Sequence, residues 1–364
     1  MTPSRAALFR AVEKSDLNML RAVLAQGMSL AYEPGDPDPV CFVAVTWDDY
    51  DFEVLKQLHE AGADLSAVEP EFNDTLLHWC INEADLKVIP WLIANGLSVS
   101  AQNVKGRTAL FFANGDTDSL TNAGALIDAG ADVRMADEDG ETALHVAARW
   151  GWVDYARLLL DSGADVNAAD KHGATPLHTI AGLDSAATSP AHLAVIDLLV
   201  SSGADIEALD TYSHSPLASA AFNENGPAVR KLIELGADLD AQSGSAVRCA
   251  MSENDENILA MLVDAGARID TPHGDEQLTP LGLAANNGYL KGVELLLSKG
   301  LSTDVQTADG ETPLLIAARK KAHEVVARLL AAGADRNHTD DYDNTALSWA
   351  WRHKDAGLIE MLTS

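Results

Sequence analysis

At 364 residues the chain is long enough for two or three globular domains, and 47% hydrophobic residues with only 5% aromatics mean that Ala and Leu must do most of the packing. Its 55 Asp and Glu against 25 Lys and Arg leave a formal charge of -30, a field that repels nucleic acid and anionic lipid and speeds encounter with a basic partner. Cys41, Cys80 and Cys249 stand far apart with no paired spacing and no Cys/His pattern, which excludes a disulfide framework and a zinc site and points to a reducing compartment.

From the N-terminus, Met1 to Arg10 carries charges among short apolar stretches and lacks the apolar run of a secretory signal. No segment approaches the ~20 apolar residues that a spanning helix needs. A cytoplasmic protein without membrane contact is the expectation, or one exported by a route that leaves no such signal. Gly27 then opens a series completed by Gly62, Gly96, Gly130, Gly163, Gly203, Gly236, Gly266, Gly300 and Gly333, most of them within Gly-Ala-Asp, at spacings of 35, 34, 34, 33, 40, 33, 30, 34 and 33. A period near 33 over the whole chain means a solenoid, whose units bury their apolar faces only against their neighbours. The repeat leaves no linker. One elongated domain of about eleven units is expected, at roughly 1–30, 31–65, 66–99, 100–133, 134–166, 167–206, 207–239, 240–269, 270–303, 304–336 and 337–364.

The second unit is the least regular, with Pro34-Gly35-Asp36-Pro37-Asp38-Pro39 in its hairpin and Trp47-Asp48-Asp49-Tyr50-Asp51 between its helices. First helices are expected to start at Thr75, Thr108, Thr142, Thr175, Ser215, Ser245, Thr279, Thr312 and Thr345, several of them followed by Pro, which fits a first turn that has no amide bond to lose. In the clearest unit, Asp137 to Ala168, Leu144, Ala147 and Ala148 share one helical side, Leu158 to Leu160 closes a second helix, and Gly163 supplies a left-handed end. Seven extra residues fall around Gly182 to Pro190, so a loop should project between two helices. From Asp238 to Ser245 the connection is three residues shorter than from Asp165 to Thr175, so the hairpin there should be cut back.

The run Asp137-Glu138-Asp139-Gly140-Glu141-Thr142-Ala143-Leu144-His145 through Gly163-Ala164-Asp165 resembles the ankyrin repeat, and the likeness covers the whole chain. The resemblance implies an all-α fold, an ankyrin-repeat solenoid of stacked helix-turn-helix units with protruding hairpin fingers. It also implies that His78, His145 and His178, in the fourth position of the Thr-Pro-Leu-His motif, bond to the backbone of adjacent fingers, and that Asn167 is a turn residue. Equivalent residues of stacked repeats lie roughly 8 to 10 Å apart, too far for these histidines to share one ion.

The family's recognition surface is the concave side built from finger tips and first helices. Carried onto this chain it offers Glu71, Phe72, Asp74 and Glu83, then Arg107, then Glu138, Asp139, Glu141, Arg149 and Trp150, then Lys171 and His172, then Tyr212, His214 and Phe222. Charged groups interleaved with aromatics are what interface hot spots are made of. From Ala31 to Asp74 there are twelve Asp or Glu and one Lys, whereas Glu311 to Arg336 carries a net +2, a gradient that would orient a partner.

Phosphate loops, His-Glu-x-x-His and Gly-x-Ser-x-Gly are not found. The expectation is therefore a non-enzymatic module, monomeric when unbound and without cofactor, metal or nucleic acid, that grips a basic protein. The compact, Ala-rich, acidic chain is similar to bacterial ankyrin proteins that neutralise a cognate toxin, which implies an immunity-type role as one form of that binding. An adaptor, scaffold or host-directed effector is the alternative. Asp48, Asp49 and Asp51 also count among the candidate partner contacts, and a third reading is an enzyme or divalent-cation protein using the same three carboxylates as oxygen ligands.

Overall fold

A computed structural model describes residues 3–33, 36–45, 51–83, 85–270 and 278–364, with 3, 4 and 242–245 described by their backbone alone. Pro34, Gly35, Trp47, Asp48, Asp49 and Tyr50 lie outside the described residues. Among the described residues the regular structure is helical, apart from an isolated bridge between Ala136 and Thr142 and a bridge residue at Leu278. The chain divides into two compact units, Met1–Lys171 and His172–Ser364, each a stack of short helix pairs.

Each repeat is punctuated as the sequence expects. All ten glycines of the series have positive φ, between 69° and 100°, where a side chain would be strained. Thr75, Thr108, Thr142, Thr175, Ser215, Thr279, Thr312 and Thr345 stand at helix N-caps. Ser245 does not: the helix there begins at Ala241 and Ser245 lies inside it. The amide of Asp240 bonds to the Asp238 side chain and the chain passes straight into that helix, so this repeat has lost its finger rather than shortened it. Gly-Ala-Asp also has a local cause. The carboxylates of Asp64, Asp132, Asp165 and Asp205 each accept the amide two residues on, which turns the chain toward its finger. At Asn167 the turn therefore uses its backbone amide, with the Asp165 side chain as acceptor at 2.9 Å.

In the first unit the helix Ala143–Trp150 buries Leu144, Ala147 and Ala148 completely, and the small Ala side chains let the neighbouring helices approach. Its partner, Val153–Asp161, buries Tyr155, whose hydroxyl donates to Leu110 O. The preceding repeat departs from the expected α-helix: its first helix is a single tight turn, Ala109–Phe112, because Asn114-Gly115-Asp116 breaks it and Asp116 caps a longer second helix, Thr117–Asp128. Asn122 on that helix is 1% exposed and donates to Ile81 O at 3.0 Å and Glu83 O at 2.9 Å, closing off the end of the repeat before it.

The second unit repeats these devices. Asn225 is fully buried and donates to Ile180 O at 2.9 Å. The extra residues after Pro176–Ala181 form the loop from Gly182 to Ser189, fastened by Ala187 N to the Asp184 carboxylate at 2.7 Å before Pro190–Ser201 begins. The loop stands between the two helices, where the spacing places it.

At the N-terminal end of the first unit the sequence gives no warning of a buried ion pair. Arg5 is 5% exposed and Asp36 9%; Arg5 Nε lies 2.8 Å from Asp36 Oδ1, and Nη1 donates to Ser29 O at 2.8 Å. The guanidinium thus pins the irregular segment after the first helix pair. Its hydrogen bond holds the Asp36 carboxyl below the ordinary value of 3.8, outweighing the opposing effect of desolvation.

Removing one partner of such a pair strands a buried charge, so Asp36→Ala should lower the stability of the first unit by about 3–5 kcal/mol, read by denaturant unfolding. Because the folded-state pKa is depressed, the pair's contribution is complete above the unfolded carboxylate value of 3.8 and is lost as pH falls through the lower folded value. Asp36→Ala should therefore flatten the acid limb of the unfolding curve.

Candidate protein-binding face

Each finger is a hairpin built on one acceptor at its base. In the first unit Asn103 Oδ1 accepts the amides of Lys105 and Arg107 at 2.9 and 3.0 Å, and Asp137 Oδ1 accepts those of Asp139 and Glu141 at 2.9 and 3.0 Å. Glu69 holds the amides of Glu71 and Phe72 in the same way. These base carboxylates are spent on the fold. Part of the chain's acidity is therefore structural.

Adjacent fingers are joined by backbone bonds. Val104 N donates to Phe72 O at 2.8 Å, Glu138 N to Lys105 O at 3.0 Å and Lys171 N to Asp139 O at 2.8 Å. The tips of the first unit thus form one continuous row. Behind it the histidines tie helices to fingers. His78 Nδ1 accepts Thr75 N–H at 3.0 Å, so its proton sits on Nε2 and is donated to Arg107 O at 2.9 Å. Burial pushes its pKa down, which keeps the ring in that neutral form. His145 Nδ1 accepts Thr142 N–H at 3.1 Å. In the second unit His178 Nε2 lies 3.1 Å from His214 O. The bonding to neighbouring fingers implied by the family resemblance is present at His78 and His178.

The candidate contact residues separate into three groups. Glu71, Phe72, Glu138, Asp139, Trp150 and Lys171 are exposed along the first unit, while His172, Tyr212 and Phe222 are exposed in the second. Asp51, Glu83, Arg107, Glu141, Arg149 and His214 are half-buried. Asp74 is corrected: it is 7% exposed and its carboxylate accepts Asn103 Nδ2 at 2.8 Å, so it braces two fingers instead of facing solvent. Asp51 caps the helix Phe52–Glu60 by accepting Glu53 N, a use for this side chain other than cation binding. Asp48 and Asp49 lie outside the described residues. Among the described residues there is no cluster of three or more His, Cys, Asp or Glu placed to hold a metal.

Charge on the row is largely paired within it. Arg107 Nε meets Asp137 Oδ2 at 2.9 Å, and Arg149 bonds Glu141, which also lies 3.7 Å from Arg107. Lys171 Nζ bonds Asp139 Oδ1 at 2.6 Å and draws that carboxyl below its usual range, although both groups are solvent-exposed. Glu71 and Glu138 make no ion pair among the described residues. Trp150 is 60% exposed and stacks on Trp152 at 6.0 Å and 17°, and Trp152 in turn lies over Gly115. Phe72 is 41% exposed. The three thiols are buried, and burial raises Cys41 to about 12 and Cys249 to about 11, so neither is a ready nucleophile. Sequence reasoning missed the base acceptors, although their signal is legible: an Asp or Asn three residues before the finger glycine, as in Asp137 to Gly140 and Asn103 to Gly106.

Comparison with known proteins gives one consistent answer. Residues 116–210, 183–273 and 281–364 match the family of ankyrin repeats in three copies, and 77–121 match ankyrin repeats in many copies. The chain is 33% identical over 128 residues to neurogenic locus notch homolog protein 2 of Homo sapiens, covering 34% of this chain and 5% of that protein. It is 36% identical over 120 residues to the nuclear factor NF-kappa-B p105 subunit of Mus musculus, covering 32% and 12%. The chain thus spans a small part of the length of these relatives. The crystal structure of the ankyrin repeat domain of Bcl-3, of the IkappaB protein family, superposes with a TM-score of 0.55 at 26% identity, over 62% of this chain and all (100%) of that one. Among the described residues no helix is long and apolar enough to cross a membrane.

The finger row depends on close backbone approach at Gly140, whose φ is +79° and where a Cβ would stand 2.9 Å from Lys171 N. Gly62, at φ +93°, has nothing within 4 Å of the same position. Gly140→Ala should cost about 1–3 kcal/mol and more than Gly62→Ala, measured by denaturant unfolding, because it adds a broken finger contact to the backbone strain common to both.

Proposed function

From the premise that this chain belongs to the ankyrin-repeat family, we propose that it is a non-catalytic module that binds a basic protein along the finger row of its first unit. One observation carries the reading: tips locked edge to edge by backbone bonds present exposed Phe72 with Glu71 and Glu138, carboxylates outside any ion pair among the described residues, while the helix behind them, Ala143–Trp150, ends on exposed Trp150. A rigid row loses little ordering entropy on association, so its aromatic contacts are not offset by a large folding cost. The net charge of -30 supplies long-range attraction toward a cationic surface.

The pairing within the row refines which residues do what. Glu141 is committed to Arg149 and Arg107, and Asp139 to Lys171, so these five position the row. Glu71, Phe72, Glu138 and Trp150 are the contact residues. Toxin neutralisation is one form such binding could take, but the relatives named above give it no support, and the proposal stops at a basic protein partner acting in the cytoplasm.

The test is affinity capture from the native cell followed by binding kinetics on the recovered partner. Glu138→Lys should slow association about 2- to 10-fold at low salt, with the difference closing as salt rises. Trp150→Ala should mainly speed dissociation, weakening affinity about 30-fold, the size of a central aromatic anchor. Unchanged kinetics in both variants would remove the finger row from the interface.

A further inference from the structure

The second unit contains a gap in its own ladder. Thr211 N donates to His172 O at 2.8 Å, and at the far end Asp341 N donates to Asp309 O at 3.0 Å. By position in the finger, the next acceptor after His172 is the carbonyl of Tyr212. The following repeat has no finger, since its helix begins at Ala241, and among the described residues no amide reaches Tyr212 O. A backbone acceptor that its neighbours satisfy within the fold is here left open by the described residues.

Tyr212 also lines a cleft of about 600 Å³, together with Asp210, His214, Phe222, Asn223 and Arg248. Tyr212 is 70% exposed and Phe222 48%, with His214 between them at ring separations of 6.3 and 5.9 Å. Asp210 is already engaged, its Oδ1 accepting the amides of Tyr212 and His214 at 2.8 and 2.9 Å. Arg248 sits three residues after Ser245, as His178 does after Thr175. It is exposed and makes no ion pair among the described residues. The cleft therefore offers one backbone acceptor, one cation and an aromatic wall.

We propose that this cleft receives a tight turn of a partner protein, which donates a backbone N–H to Tyr212 O, sets a carboxylate against Arg248 and packs an apolar side chain on the wall formed by Tyr212, His214 and Phe222. The occupant takes the place of the missing finger. The same unit shows both kinds of contact: the finger carrying Asp341 donates its backbone N–H to Asp309 O on its neighbour, and Glu311 grips Arg319 through two contacts of 2.9 Å. This goes beyond the basic partner proposed for the first unit. It uses other residues, and it asks for an acidic turn rather than a basic surface.

The probe is a cyclic peptide containing Thr-Ala-Asp-Gly-Glu-Thr, the chain's own residues 307–312, titrated into the full-length protein carrying carbonyl-13C tyrosine. We expect saturable binding with a Kd of roughly 0.1–1 mM, the weak range for a short peptide, and a shift of the Tyr212 carbonyl signal. Arg248→Glu and Phe222→Ala should each weaken it, the former at least tenfold. Replacing the peptide's Glu by Gln should weaken binding to the parent chain but have little further effect on Arg248→Glu, an arm that does not depend on how well any variant folds. Absence of saturation, equal binding by Arg248→Glu, or a carbonyl shift that maps away from Tyr212 would overturn the proposal. So would sedimentation showing that the chain without peptide associates with a second copy through these residues. None of these results bears on Glu138 or Trp150, so this proposal and the first-unit reading can fail separately.

Discussion

An eight-residue helix cannot hold itself together in water, because nucleation costs more than so few hydrogen bonds return. Helices such as Ala143–Trp150 and Pro313–Lys320 therefore exist only through burial against their neighbours. That requirement explains the alanines. Ala147, Ala148, Ala317 and Ala318 are fully buried, and larger groups would push the helices apart. It also explains why polar links are concentrated at the ends of the helices, where Thr caps, neutral His rings and buried Asn amides satisfy groups that the helices leave open.

The same dependence sets where function can reside. Apolar interior is consumed by stacking, so exposed side chains are carried by the fingers, whose backbones are fixed by base acceptors such as Asp137 and by bonds to the finger before. Side chains at the tips are released from structural work and project from a rigid edge. Charge alone would have misassigned them. Of the acidic residues in the finger 137–141, Asp137 builds the hairpin, Glu141 holds two arginines and Asp139 meets Lys171, leaving Glu138 without an ion pair among the described residues.

Interruption of the pattern is as informative as its repetition. Where the second unit omits a finger, the preceding finger keeps its acceptor and its aromatic side chains, and the helix that follows, Ala241–Ser252, carries Arg248 without an ion pair among the described residues. A ladder of backbone bonds is indifferent to which polypeptide supplies the next rung. A gap in such a ladder is consequently a place where another chain can complete it.

The periodic glycines, the Thr caps, the Pro residues of the first turns and the buried alanines were legible in sequence because each is required by local geometry that recurs about every 33 residues. The extra loop at Gly182 and the loss at Asp238 to Ser245 showed themselves as changes in spacing. The pairings were not legible. Arg5 with Asp36, Asp74 with Asn103 and Arg107 with Asp137 join residues about thirty apart, and no local pattern tells a base carboxylate from one at the tip. Sequence by itself determined the repeat and the residues able to stand on its fingers. Only the stacked structure decided which of them remain available, because availability depends on what the neighbouring repeat brings within hydrogen-bonding distance.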